Sequence, residues 1–272
     1  MSLSDTNMSD TRSAPSSQFV TLTVVALVAL LFSVVWGFAD ARQVDGAAVW
    51  MKPLKFAISF AVLFGTIALI QPRLSQPVRE GWALRAIGWV MAAAFLAEMA
   101  YMTYQAALGE ASHFNIGTPF HRIMYEVVMG GGAVALVLSV AVIGWIVQRD
   151  RAADLGSGLR AGIFLGFGMT FVLTMVTAGY LSINAGHFVG LHPEGAAVLP
   201  LFGWSGVTGD LRPAHFAALH AMQALPLLGL WLDRRGDPNP VRAVRIGAVL
   251  YGGLTLAVFA QALMGLPLIR LG

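Results

Sequence analysis

Gly209-Asp210-Leu211-Arg212-Pro213-Ala214-His215-Phe216-Ala217-Ala218-Leu219-His220-Ala221-Met222-Gln223 opens an apolar segment that runs on to Leu232. An acid, an arginine, two histidines and a glutamine thus crowd the first turns of a stretch long enough to cross a bilayer. Ionisable groups at membrane depth are costly and mark function more often than architecture. The rest of the chain is read outward from this stretch.

Of the 272 residues, 57% are hydrophobic and only 11% are charged, against roughly 25% charged in soluble domains. With several long apolar runs, this excludes a soluble enzyme and predicts an all-α polytopic bundle. The sequence pI of about 9.6 does not mark a nucleic-acid binder, because the net charge is only +3 and the arginines lie in short loops between apolar runs. The absence of cysteine removes disulfides, thiolate ligands and cysteine nucleophiles.

Residues 1–18 read as a polar, disordered cytoplasmic tail. Seven spans follow, at about 19–38, 50–70, 82–108, 119–147, 161–184, 211–232 and 241–268, in one transmembrane domain with a long outer loop at 185–209. The first span, followed by Ala39-Asp40-Ala41, is read as a retained helix: its apolar run is long for a signal core, and Asp5 and Asp10 outweigh Arg12 before it. Thr118-Pro119 reads as a cap and first-turn proline, and Asp210 as the cap of the sixth span. Pro226 should kink that span. No internal repeat is seen.

Alternate loops then fall on alternate sides. With the N-terminus lie Arg12, Arg73, Arg79, Arg85, Arg149, Arg151, Arg160, Arg234, Arg235, Arg242 and Arg245. Opposite lie Arg42, Lys52, Lys55, Arg122, Arg212 and Arg270. The bias predicts a cytoplasmic N-terminus and a periplasmic C-terminus in a bacterial inner membrane.

The remaining polar residues gather on the outer side. Lys52 and Lys55 open the second span. Glu98, Tyr101 and Gln105 share one face of the third at i, i+3 and i+7. His113 and Asn115 follow it; His121, Arg122, Tyr125 and Glu126 open the fourth. Tyr180, Asn184, His187 and His192 close the fifth and enter the loop, and Gln261 lies in the seventh. The inner half offers only a threonine stripe, Thr170, Thr174 and Thr177. This pattern predicts a cup open to the periplasm, with the glycine- and proline-rich loop 185–209 as its lid.

Trp50-x-Lys52-Pro53-x-Lys55-Phe56, Ser112-His113-Phe114-Asn115, Leu199-Pro200-x-x-Gly203-Trp204-Ser205 and the Gly209-Asp210-Leu211-Arg212…His215-Phe216…Leu219-His220-Ala221-Met222-Gln223 stretch resemble a family of functionally uncharacterised bacterial polytopic membrane proteins. The resemblance covers most of the chain after residue 45. It implies an architecture and no mechanism.

Glu98 reads either as a structural carboxylate paired with Lys52, Lys55 or Arg122, or as a proton carrier or cation ligand. Arg122 and Glu126, at i and i+4, read as an ion pair. Gly130-Gly131-Gly132 reads as a close-packing site, since no strand precedes it to make a phosphate loop. His215 and His220 are about 140° apart on an ideal helix, so a metal would have to be assembled from several helices. Two cofactor forms are open. Haem comes first, with axial histidines from His220, His215, His121 and His187 and propionate partners from Arg212, Arg122, Lys52 and Lys55. A transition metal on Glu98, His113, His215 and His220 comes second. The alternative is a quinone, lipid or small-solute binder or transporter without a metal. In it Lys52, Lys55, Arg122 and Arg212 form an anion site, and Gln105, Gln223, Tyr101 and Gln261 orient the ligand. The lipid bilayer is the expected environment, with a quinone or electron-transfer partner and no nucleic acid. Retinal proteins are set aside because no lysine follows Lys55, and seven-helix zinc hydrolases because no His-x-x-x-His pair lies near the end.

Overall fold

The computed structural model describes residues 17–44 and 46–271, so the expected tail lies, up to residue 16, outside the described residues. The chain is an all-α bundle and a multi-pass membrane protein, with seven helices long and apolar enough to cross a bilayer. α1 (Gln18–Ala39) turns through a hairpin, β1 (Gln43–Val44) on β2 (Ala47–Ala48), into α2 (Met51–Ile70). A 3-10 turn (Gln71–Arg73) and the short α3 (Gln76–Arg79) lead to α4 (Trp82–Leu108). The fourth crossing is composite: α5 (Pro119–Arg122), a π-helical stretch (Ile123–Met129) and α6 (Gly130–Arg149). α7 (Ser157–Ile183), α8 (Arg212–Arg234) and α9 (Pro240–Leu263) complete the bundle. Between α7 and α8 the long connection pairs β3 (Phe188–Val189) antiparallel with β4 (Gly209–Asp210).

Four boundaries differ from the sequence reading, each for a local reason. α7 begins at Ser157, not near 161, because the Arg160 guanidinium bonds the backbone carbonyls of Val147 and Ala153, at 2.8 and 3.1 Å, and of Asp150. A charged residue is thereby tolerated in the first turn. α9 stops at Leu263, short of 268, because Gly265 takes a left-handed φ of +76° and Pro267 follows. Asp210 is not the cap of α8; Leu211 holds that position, and Asp210 belongs to β4. The fourth crossing is interrupted by i→i+5 bonding, which removes the stacking of i on i+4. Among the described residues Arg122 and Glu126 accordingly form no ion pair.

The tightest seam joins α7 to α8. A Cβ on Gly166 would lie 2.6 Å from the Ala221 carbonyl oxygen and 3.1 Å from Pro226 Cδ, so only glycine lets the backbones approach this closely. Thr170 Oγ1 accepts from Met222 N–H at 3.0 Å, and Thr177 Oγ1 lies 3.3 Å from His215 Nδ1. Two members of the threonine stripe are therefore glue between these helices. α2 and α4 meet instead through rings: Phe95 packs on Phe60 and Phe64 with centroids 4.7 and 5.2 Å apart.

The two ends differ. The arginine-rich end is knit by side chains reaching backbone. Asp233 accepts from Gly158 and Leu159 N–H at 2.9 and 2.7 Å, and Asp150 from Ser75 N–H at 2.8 Å. The opposite, polar end carries the histidines, both lysines and the long connection. Replacing Gly166 with valine should lower unfolding stability by about 1–3 kcal/mol through overpacking. Gly168→Ala, where an added Cβ meets nothing within 4 Å, should leave it unchanged or slightly higher; thermal unfolding of the detergent-solubilised protein reads both.

Candidate functional site

The connection between α7 and α8 is a fastened lid, and the residues that opened the sequence reading are its fasteners. Asp210 is 2% exposed. Its carboxylate accepts from Ser205 N–H at 2.8 Å and Arg212 N–H at 3.0 Å, and pairs with the Arg212 guanidinium at 2.6 Å. Arg212 Nη2 also donates to Gly203 O at 2.6 Å, and the guanidinium lies 5.2 Å over the Phe188 ring. Phe188 stacks on His192 at 3.8 Å, and His192 Nδ1 lies 3.2 Å from Ser205 Oγ. Lys55 Nζ donates to Phe202 O at 3.2 Å and so ties the lid to α2. The expected role of Arg212 against a propionate or free anion is therefore corrected. Its charge is already met by a buried carboxylate two residues away, a charge-assisted bidentate pair.

Around His187 of the connection lies a nest of half-buried rings. His113 sits 5.5 Å from Phe56 and 5.9 Å from Tyr125; Phe114 sits 5.3 Å from Tyr125 and 5.4 Å from His187. Phe114 holds a φ of +59°, a conformation that a bulky side chain adopts only when its surroundings over-determine it. His113 Nδ1 lies 3.2 Å from buried Ser112 Oγ, whereas His187 Nδ1 is buried with no partner among the described residues. Burial holds His113 well below the usual imidazole range, with Lys52 and His187 adding to it. Burial likewise lowers His187 to about 4, helped by Arg212 against the opposing pull of Asp210. Both rings are neutral at pH 7.

The third group is the α4 face. Glu98, Tyr101 and Gln105 are all buried, and Glu98 Oε1, Tyr101 OH and Gln105 Oε1 have no partner among the described residues. Expected pairing of Glu98 with Lys55 or Arg122 is not formed, since Lys55 serves the lid and Arg122 faces outward. A Cβ on Gly132 would lie 3.1 Å from Glu98 Oε1, so the glycine run beside the π-helical stretch makes room for this carboxyl. At the upper end of the face, α4 stops on left-handed Gly109, and Glu110 N–H bonds back to Gln105 O at 2.9 Å. That turn returns the Glu110 side chain over Gln105, whose Nε2 donates to Glu110 Oε2 at 3.2 Å. Glu110 lies 3.8 Å from His121 Nε2, and His121 Nδ1 lies 3.2 Å from Asn115 Oδ1.

On α8, His215 and His220 point apart, as their spacing implies. Thr177 donates its hydroxyl proton to Leu173 O, so His215 Nδ1–H is the donor in the 3.3 Å contact. His220 Nδ1–H donates to Phe216 O at 2.7 Å while its ring stacks on Phe216 at 4.0 Å. Gln223 Nε2 donates to Thr66 Oγ1 at 3.1 Å across to α2. Gln261 is corrected from ligand-orienting to structural, because its Nε2 donates to Pro267 O at 2.6 Å beyond the end of α9.

Among the described residues no group of three or more histidine, aspartate or glutamate side chains could hold a metal ion. The expected set does not assemble. His113 lies in the ring nest, His215 faces α7, His220 lies on Phe216, and Glu98 is deep against Gly132. An open surface groove lies on the α1–α4 flank, lined by Phe32, Val35, Trp36, Thr103 and Ala107. The sequence reading missed the ring nest, although Phe114 lay inside a quoted motif, and the π-helical stretch, which the glycine run adjoined. Comparison with known proteins finds no matching family model, curated protein or solved structure.

Depressed histidines fix the sign of a pH effect. Between about 4 and 6.5 the unfolded chain binds protons that the folded His187 does not, so stability falls as pH drops through this window. The limiting loss is about 1.4 kcal/mol per pH unit per such histidine. Thermal unfolding against pH should show this slope, and His187→Asn should reduce it, His113 keeping its own share.

Proposed function

We propose that the polar end faces the periplasm across a bacterial inner membrane and binds a lipid-soluble ligand whose flat, oxygen-bearing head group belongs to the quinone class. The observation that carries the reading is the ring nest. Phe56, His113, Phe114, Tyr125 and His187 bring aromatic faces and two neutral imidazoles together at the start of the long connection, with His187 Nδ1 unpartnered among the described residues. Aromatic walls with a few placed polar groups suit a planar apolar ring, and neutral imidazoles supply N–H donors to its carbonyl oxygens. Lys52 adds positive charge beside both histidines, which favours an electron-rich head group. The arginine bias supports the orientation.

A cofactor-binding redox protein with haem is the second reading, and one observation favours it. His220 donates Nδ1–H to a backbone carbonyl, the arrangement that leaves Nε2 ready as an axial ligand. It ranks behind the first because the expected partners stand apart: His121 lies with Asn115 and Glu110, and His187 with Phe114.

Titration of the protein in nanodiscs with a short-chain ubiquinone analogue, read by quenching of intrinsic fluorescence, tests the first reading. Saturable quenching is expected, with His187→Leu and Phe114→Ala each weakening binding at least tenfold, about 1.4 kcal/mol. Absence of saturable quenching would sink it. A Soret band that shifts on dithionite and disappears in His220→Ala would put haem in its place.

A further inference from the structure

We propose that the α4 face is a one-sided proton path, leading from the polar-end surface through Glu110, Gln105 and Tyr101 to Glu98 and ending there. This goes beyond the ring-nest ligand and does not depend on it. Three buried polar atoms without partners among the described residues lie on one face of one helix, Glu98 Oε1, Tyr101 OH and Gln105 Oε1. At 1.5 Å per residue they span about 10 Å along the axis. Buried polar groups are nearly always satisfied, and bridging water is the usual partner where protein supplies none. The upper end of the row reaches the surface. Gln105 bonds Glu110, whose side chain is 47% exposed, and Glu110 adjoins His121.

The lower end is shut. Phe95 lies one turn below Glu98, is 1% exposed and packs on Phe60 and Phe64; below it Met91 is fully buried. Gly132 of α6, whose Cβ position lies 3.1 Å from Glu98 Oε1, carries no charge. Of the titratable groups towards the surface, Tyr101 shares the α4 face, and Glu110 and His121 lie beyond Gln105. Lys55 of α2 serves the lid, and Lys52 lies at the head of α2 beside His113 and His187.

The step balances simply. A proton from outer water passes through Glu110 or His121 to water held at Gln105. The Tyr101 hydroxyl accepts one proton and releases its own, and the Glu98 carboxylate becomes the carboxylic acid. No electron moves, and the proton leaves by the same route. Gln105 holds water in this scheme and does not itself relay. The π-helical stretch beside Gly132, a form that recurs at functional sites, abuts the end of the path.

Infrared spectroscopy of the full chain in nanodiscs tests this. The carbonyl band of a carboxylic acid should change with bulk pH, shift in D2O and be absent in Glu98→Gln. Tyr101→Phe and Gln105→Leu should keep the band and slow its deuterium exchange at least tenfold, whereas Gln223→Leu, off the path, should not. Glu98→Asp, which keeps the acid with one methylene fewer, should move the band without abolishing it, so that loss in Glu98→Gln is not mistaken for misfolding. Proteoliposomes of the wild type should show no passive proton conductance. The proposal is overturned if no band depends on Glu98, if exchange is indifferent to both Tyr101→Phe and Gln105→Leu, or if the wild type conducts protons.

Discussion

Every polar group buried in a membrane-spanning bundle must find its partner within the chain or in trapped water, because hydrocarbon offers none. This one constraint separates the two ends of the protein. At the arginine-rich end the charged side chains inside the bundle reach main-chain groups: Arg160 the carbonyls that end α6, Asp233 the amides that start α7, and Asp150 an amide before α3. These bonds close the end by satisfying helix termini that would otherwise stay orphaned. The same logic binds the middle of the bundle, where Thr170 bonds the α8 main chain across a seam that glycine makes narrow.

At the polar end the constraint is met for the lid and left open elsewhere. Asp210 and Arg212 satisfy one another and three further partners, the Ser205 amide, the Gly203 carbonyl and the Phe188 ring, which fastens a long glycine-rich connection. His187 and the α4 face keep polar atoms that the chain itself does not answer among the described residues. Polar atoms left open in this way are expensive; among the described residues others lie on Gln18, Thr174 and Gln223, but only α4 carries three on one face. Function is therefore read from this end, and the closed end is read as scaffold.

Much of the architecture was legible because bilayer thickness sets a length that apolar runs must meet. The third span, 82–108, was read to the residue, and Glu98, Tyr101 and Gln105 do share one buried face. What escaped was the local chemistry that periodicity does not carry. Asp210 looked like a helix cap because acids favour that position; its actual partners, Ser205 and Arg212, depend on how the lid folds back. Arg122 and Glu126 looked like an ion pair because four residues make one α-turn, a spacing that fails once the helix widens to i→i+5. The six histidines looked like one site, but each is claimed by a different neighbour: Ser112, Asn115, Phe114, Ser205, Thr177 and Phe216. Residue type gathered these side chains at one end of the bundle, and only tertiary structure could distribute them among their partners.

In the proposed path water reaches Glu98 along α4 from one end, and the other end is closed. The chain contains no cysteine, so single cysteines can be introduced without a background. Gln105→Cys and Tyr101→Cys, compared with Thr170→Cys and Met91→Cys, would be challenged in sealed, oriented vesicles with a membrane-impermeant thiol reagent applied to either side. With the orientation proposed above, labelling of Gln105→Cys and Tyr101→Cys is expected from the periplasmic side only, and no labelling of the other two from either side. Labelling of the α4 positions from the cytoplasmic side, or of Met91→Cys from any side, would contradict it.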